Sequence, residues 1–129
     1  MSAGAALRRL TTRGGKTLDF TALGFGTAPL GNFLQKLEEK DCDDAIEAAW
    51  AVGMRHFDTA PLYGLGLSEG RLGRVLRGKP RASYVLSTKV GRLLEPAAPG
   101  EANGGIYVDV PPLKFIYDYS YDAVMRSFE

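Results

Sequence analysis

The sequence predicts an α/β fold built on parallel strands, and three observations carry that reading. Short apolar runs centred near Phe25, Phe57 and Leu86 recur 32 and 29 residues apart. Amphipathic stretches with helix start and stop signals lie between them. Strand-to-strand connections of ~30 residues require crossover helices, hence parallel strands joined by right-handed crossovers. Two architectures satisfy this pattern, an open doubly wound sheet and a (β/α)8 barrel. A whole barrel needs ~250 residues, so these 129 would supply three of its strands and about three helices.

The elements follow in chain order. Residues 7–20 hold Gly14-Gly15 between two stretches with β-branched residues, the pattern of a β-hairpin with a glycine turn. Ala22 to Ala28 reads as a buried strand. Asp41 is placed to cap the first helix, with Asp44 at its third position and the acidic first turn matching the helix dipole. Ile46, Ala49 and Trp50 form its buried face, and Gly53 is a left-handed stop. Arg55 to Ala60 is the second strand. Ser68 is expected to cap a second helix with Leu72, Val75 and Leu76 as its apolar stripe and Gly78 as its stop. Tyr84 to Val90 is the third strand. Gly91 to about Tyr119 reads as a long loop rich in Pro, Gly and Ala, and Ser120 as the cap of a helix running to Glu129.

Composition removes several function classes. The 16 Lys/Arg and 15 Asp/Glu nearly cancel, which gives no electrostatic case for nucleic acid or a membrane surface as partner. No apolar run approaches the ~18–20 residues of a membrane-spanning helix. Residues 1–9 carry Arg8 and Arg9 without a following apolar stretch, so no secretory signal is expected. One cysteine, Cys42, excludes an intrachain disulfide and suits a reducing, cytoplasmic compartment. Three aspartates beside it would raise its thiol pKa, so it is read as inert, and no metal site is expected.

The chemistry concentrates in Asp58-Thr-Ala-Pro-Leu-Tyr63-Gly and Ser87-Thr88-Lys89. In parallel α/β folds ligands bind beyond the carboxyl ends of the strands. Asp58, Tyr63 and Lys89 would therefore converge on one rim. A buried ammonium needs a counter-charge and a buried carboxylate needs a donor, so Lys89 and Asp58 satisfy each other. A neighbouring ammonium also favours tyrosinate over phenol, which makes Tyr63 a usable general acid or base. Each residue alone has an architectural reading as well: a strand-end Asp can shape a turn, and a strand-end Lys can snorkel to water. Their joint position on adjacent strands favours the chemical one.

The runs LGFGTAPLGN (23–32), GMRHFDTAPLYG (53–64), SEGRLGRVL (68–76) and STKVGR (87–92) resemble the aldo-keto reductases over nearly the whole chain from residue 7. DYSYDAVMRSFE (118–129), with the loop before it, is similar to the branch of aldose dehydrogenases acting on L-fucose and D-threo-aldoses and of pyridoxal dehydrogenase. The resemblance implies a (β/α)8 barrel closed at its bottom by the N-terminal hairpin. It implies hydride transfer between NAD or NADP and the carbonyl carbon of an aldose or related small aldehyde. Tyr63 would exchange the proton, Lys89 and Asp58 would tune it, and Gly26-Thr27 with Asp58 would approach the nicotinamide. The family's fourth catalytic residue, a histidine after a fourth strand, has no counterpart here. Residues 1–129 are therefore expected to be a partial barrel domain, incomplete at its C-terminus and inactive alone. A non-catalytic, cofactor-binding regulatory subunit of the same fold, like the potassium-channel β subunits, is the alternative.

Other features are assigned structural roles. His56 shares a strand face with Asp58 but lies deeper than the rim, so it is read as a supporting residue. Gly24-Phe-Gly26-Thr-Ala-Pro29 puts Pro at the third glycine of a dinucleotide fingerprint, and Gly64-Leu-Gly66-Leu-Ser68-Glu69 fails at the same place. Arg71, Arg74 and Arg77 track one helix side and are expected to be solvated. Tyr117, Tyr119 and Tyr121 alternate near the proposed site, where they either line a sugar pocket or pack ordinarily.

Overall fold

The computed structural model describes residues 6–128. Residues 1–5, part of the segment read above as lacking a secretory signal, and Glu129, the end of the expected last helix, lie outside the described residues. Strands β1 (Leu7–Thr11) and β2 (Thr17–Thr21) form the expected antiparallel hairpin, with Gly15 at φ 78° in its turn. Strands β3 (Phe25–Gly26), β4 (His56–Asp58) and β5 (Val85–Ser87) form a parallel sheet in that order. Phe25 pairs with Phe57 and Phe57 with Leu86, so the three expected strand centres share one rung. The strands are shorter than the apolar runs that announce them. Past Gly26 the chain turns into a 3-10 segment (Ala28–Gly31) with Pro29 in its first turn, which ends the ladder because proline has no N–H to donate.

Helix α1 (Glu39–Ala51) and helix α2 (Leu67–Leu76) cover one face of the sheet. The buried side chains Leu30, Cys42, Ile46, Ala49, Phe57, Leu72 and Leu76 form the core between them, with Trp50, Val75 and Tyr84 packed at its edge. Both expected N-caps are displaced. Helix α1 starts three residues earlier than read, with Glu38 in extended conformation as its cap, so Asp41 lies in the first turn and adds to the favourable dipole charge. Helix α2 is capped by Gly66 at φ 92°, and Ser68 is buried inside its first turn. The stop at Gly53 stands: its φ is 90°, and Gly53 and Met54 donate back to the carbonyls of Trp50 and Ala49.

Two expectations fail outright. The segment 91–119 is not a loop: β6 (Arg92–Pro96) and β7 (Leu113–Tyr117) pair antiparallel around an excursion over 97–112. Arg71 is not solvated but 3% exposed. Its guanidinium donates to the carbonyl of Leu30 (2.7 Å), to Asn32 Oδ1 (2.8 Å) and to Glu39 Oε1 through Nε (2.9 Å). Buried arginine is tolerated only when its charge is paired and its donors are used, and here both conditions are met. Arg74 reaches Glu39 and Asp43 on α1, so it too is paired rather than simply solvated. Ser120 does cap the last helix, α3 (Tyr121–Arg126), by accepting from the Ala123 amide (3.2 Å).

Candidate active site

Side chains of β4 alternate. Phe57 points into the core beneath the helices and is wholly buried, so His56 and Asp58 face the other side of the sheet. Gly26, Asp58 and Ser87 occupy the same rung at the carboxyl ends of their strands. That rung is the floor of the site.

Lys89 leaves β5 two residues later and folds back over Asp58. Its Nζ donates to Asp58 Oδ2 at 2.9 Å and to the Thr59 carbonyl at 3.0 Å, and lies 5.0 Å from the centroid of the Tyr63 ring. The other carboxylate oxygen, Oδ1, accepts from Ser87 Oγ at 2.7 Å, and His56 Nε2 lies 3.2 Å from the same hydroxyl. With Nε2 protonated, His56, Ser87 and Asp58 form one donor chain running up to the rim. Ser87 was absent from the sequence-derived set. The signal that reaches it is the parallel register, which sets positions 58 and 87 side by side.

The charges support one another. Burial alone would raise the Asp58 carboxyl, but the bonds from Ser87 and Lys89 outweigh it and hold the carboxyl below the usual carboxylate range. Burial likewise works against the Lys89 charge, yet Asp58 and the adjacent Tyr63 hold its pKa above the usual lysine range. Both groups stay ionised across the neutral range. Their side chains are about half-exposed at the rim, not buried as the pairing argument supposed.

Tyr63 is fixed by its backbone. The Tyr63–Gly64 peptide lies flat on Gly31: a Cβ at Gly31 would come within 2.5 Å of the Tyr63 carbonyl carbon, and one at Gly64 within 2.3 Å of the Gly31 oxygen. Gly64 also sits at φ 68°, so glycine is required there twice over. The Tyr63 carbonyl accepts from the Ser68 amide (3.1 Å), which ties the tyrosine to the start of α2.

Gly26 and Thr27 differ in what they leave free. A Cβ at Gly26 would meet nothing within 4 Å, so open space adjoins the end of β3. Thr27 is fully buried. Its amide and hydroxyl both donate to the Asp58 carbonyl (2.9 Å each), and Ser68 Oγ lies 2.7 Å from its hydroxyl. The Thr27 side chain therefore secures β3 to β4 and leaves only its backbone near the rim. Cys42 is buried, and burial is the main cause that pushes its thiol up; neighbouring acids add to this and Arg71 opposes it.

A hollow of about 200 Å³ opens beside Lys89, lined by Ala60, Pro61, Leu62, Val90, Arg92 and Tyr119. The alternating tyrosines thus divide. Tyr119 lines this hollow, its ring laid against Gly91, while Tyr117 packs on Phe115 and lies under Arg92. Tyr121 is exposed on α3. Tyr107, which sequence reasoning missed, is buried with its ring centroid 6.1 Å from that of Tyr63. Among the described residues no helix is long and apolar enough to cross a membrane.

Comparison with known proteins bears on the family and the fold. The Aldo/keto reductase family model matches residues 22–123. The chain is 43% identical over 134 residues to a pyridoxal 4-dehydrogenase of Microbacterium luteolum, covering 97% of this chain and 38% of that protein. It is 53% identical over 79 residues to a D-threo-aldose 1-dehydrogenase of a Pseudomonas species, covering 61% of this chain and 24% of the relative. The holo form of an aldo-keto reductase from Bacillus halodurans superimposes with a TM-score of 0.67 at 26% identity, over 95% of this chain and 34% of that one. The chain thus spans well under half the length of these relatives. Of the two architectures open to the sequence, the likeness selects the (β/α)8 barrel, of which the described residues form an unclosed three-stranded part. A family match over most of the chain and a rim built from Asp58, Tyr63 and Lys89 lead to one assignment: the chain belongs to the aldo/keto reductase family.

Proposed function

We propose that this chain forms the N-terminal part, within residues 1–129, of an NAD(P)-dependent oxidoreductase acting on an aldose or a related small aldehyde. The observation that carries the reading is the position of Lys89 Nζ, bonded to Asp58 at 2.9 Å and 5.0 Å from the Tyr63 ring centroid. Names of the relatives, a pyridoxal and an aldose dehydrogenase, supply the substrate class.

In the oxidative direction the substrate hydroxyl gives its proton to the Tyr63 oxygen. The C–H bond on the same carbon breaks with both its electrons, and C=O forms. Bound NAD(P)⁺ supplies the hydride acceptor. Lys89 holds positive charge beside the phenol and so stabilises the tyrosinate that takes the proton. Asp58 keeps Lys89 in place and charged, and Ser87 orients Asp58. The residues present fit the nicotinamide end of the cofactor: the space beside Gly26 is open, and Asp58 offers a half-exposed carboxylate next to it. The 129 residues alone are proposed to be inactive. Their single buried thiol suits a reducing, cytoplasmic setting.

The test is Tyr63→Phe in the complete enzyme. Oxidation of L-fucose should fall by about 10²–10⁴-fold, the usual share of general acid–base catalysis, while fluorescence titration shows unchanged NAD(P)H affinity. An unaltered kcat would remove Tyr63 from the mechanism. Cofactor binding without turnover in the wild type would favour a regulatory subunit instead.

A further inference from the structure

The excursion over 97–112 is not used by the mechanism above, yet it delivers a side chain to the catalytic tyrosine. We propose that Tyr107 is a specificity-determining residue, whose ring walls the space beside Tyr63 and whose hydroxyl hydrogen-bonds a hydroxyl of a polyhydroxylated substrate. This inference rests on the oxidoreductase reading.

Three observations carry it. First, the residue is held rigidly. Tyr107 forms a β-bridge with Phe33, flanked by bonds from the Leu34 amide to the Ile106 carbonyl (2.9 Å) and from the Val108 amide to the Asn32 carbonyl (3.0 Å). Asn32 is itself buried in left-handed conformation at φ 65°, and its side-chain oxygen accepts from Arg71 (2.8 Å) and from the Leu37 amide (3.1 Å). The buried arginine therefore anchors the segment that holds Tyr107.

Second, the ring and the hydroxyl are treated differently. The residue is only 8% exposed, with Phe33 edge-on at 5.8 Å and Tyr63 at 6.1 Å. No described residue hydrogen-bonds its hydroxyl, and that oxygen is not among the buried unpartnered atoms, so it is open to solvent. A phenol with a buried ring and a free, accessible hydroxyl is set to meet a ligand.

Third, there is room. A hollow of about 250 Å³ adjoins it, lined by Leu62, Ile106, Tyr107 and Phe115 together with Asn103, Gly104 and Gly105. An aromatic face with one hydroxyl suits the C–H surface and the O–H groups of a sugar better than a wholly apolar aldehyde.

Tyr107→Phe in the complete enzyme tests this and keeps the ring packing. Oxidation of L-fucose should lose about tenfold in kcat/KM, chiefly through KM, as expected for one hydrogen bond made equally in ground and transition states. Reduction of butanal, which has no further hydroxyl, should change less than twofold. Tyr107→Ala should lose more on L-fucose and gain on benzaldehyde as the wall is removed. Equal changes on L-fucose and butanal, or no change on either, would overturn the assignment. A wild-type enzyme that oxidises no aldose and reduces no aldehyde would instead overturn the oxidoreductase reading, and this inference with it.

Discussion

Two antiparallel hairpins frame opposite ends of one parallel sheet, and they differ in almost everything except strand length. The β1–β2 hairpin lies at the start of the parallel strands. Thr21 Oγ1 accepts from the Arg55 amide (3.0 Å), and Phe20 meets His56 edge-on. The β6–β7 hairpin lies at the other end, beside Lys89, and its long excursion reaches Tyr63. The first is closed by a tight glycine turn, while the second spans sixteen residues (97–112) whose course depends on Asn32 and Phe33, far away in sequence. A short hairpin is specified locally and packs against the start of the parallel strands. A long one borrows its register from the rest of the molecule and can shape a site.

If the two ends are separable in this way, changes at the carboxyl end should move activity and changes at the amino end should move only stability. Gly31→Ala is expected to have the largest effect. Its methyl would collide with the Tyr63–Gly64 backbone, which cannot yield as a flexible side chain would. Overpacking of this kind costs about 1–3 kcal/mol, and a shift of the phenol by ~1 Å would cut turnover by about 10²-fold. Thermal melts and kcat of the complete enzyme read both.

Lys89→Met comes next. Because Lys89 is held above the usual lysine range, the wild-type ammonium persists to high pH. Its loss should lower turnover about 10–100-fold near pH 7 and change the shape of the pH–rate profile. A pH–rate profile of unchanged shape would contradict the role given to Lys89. The accompanying stability change has a defined sign: a raised lysine pKa stabilises fully below about 10.4, and that contribution fades as pH climbs through the folded value.

Thr21→Val is the smallest. It removes the acceptor of the Arg55 amide and a donor to the Leu23 carbonyl (2.6 Å). A loss of about 1–2 kcal/mol is expected from leaving such groups unpaired, visible as a lower Tm, with kcat per folded molecule unchanged. A drop in kcat would show that the two ends are coupled.

Legibility in the sequence followed the range of the interactions. The rung through Phe25, Phe57 and Leu86 was readable because each strand is an apolar run at regular spacing. The Ser120 cap and the Gly53 stop depend on residues within a turn of themselves, and they too were readable. Ser68 has the chemistry of a cap, but Gly66 takes that position and the serine hydroxyl turns to Thr27, 41 residues away. Arg71 looks like a surface cation because the Leu30 carbonyl, Asn32 and Glu39 that enclose it are more than thirty residues distant. The β6–β7 pair was hidden by Pro96, Pro111 and Pro112, which read as loop residues but stand at or just beyond the strand ends, where proline costs no ladder bond. Tyr107 carries no local signal at all.

The meeting of Gly31 and Gly64 has a consequence for how such a site can change over time. Two peptide planes touch there with no side chain between them, so the place of the phenol depends on main-chain geometry at this point. One added carbon at either glycine is transmitted to Tyr63 directly, because backbone meets backbone there. Substitution should therefore be tolerated least at these two glycines.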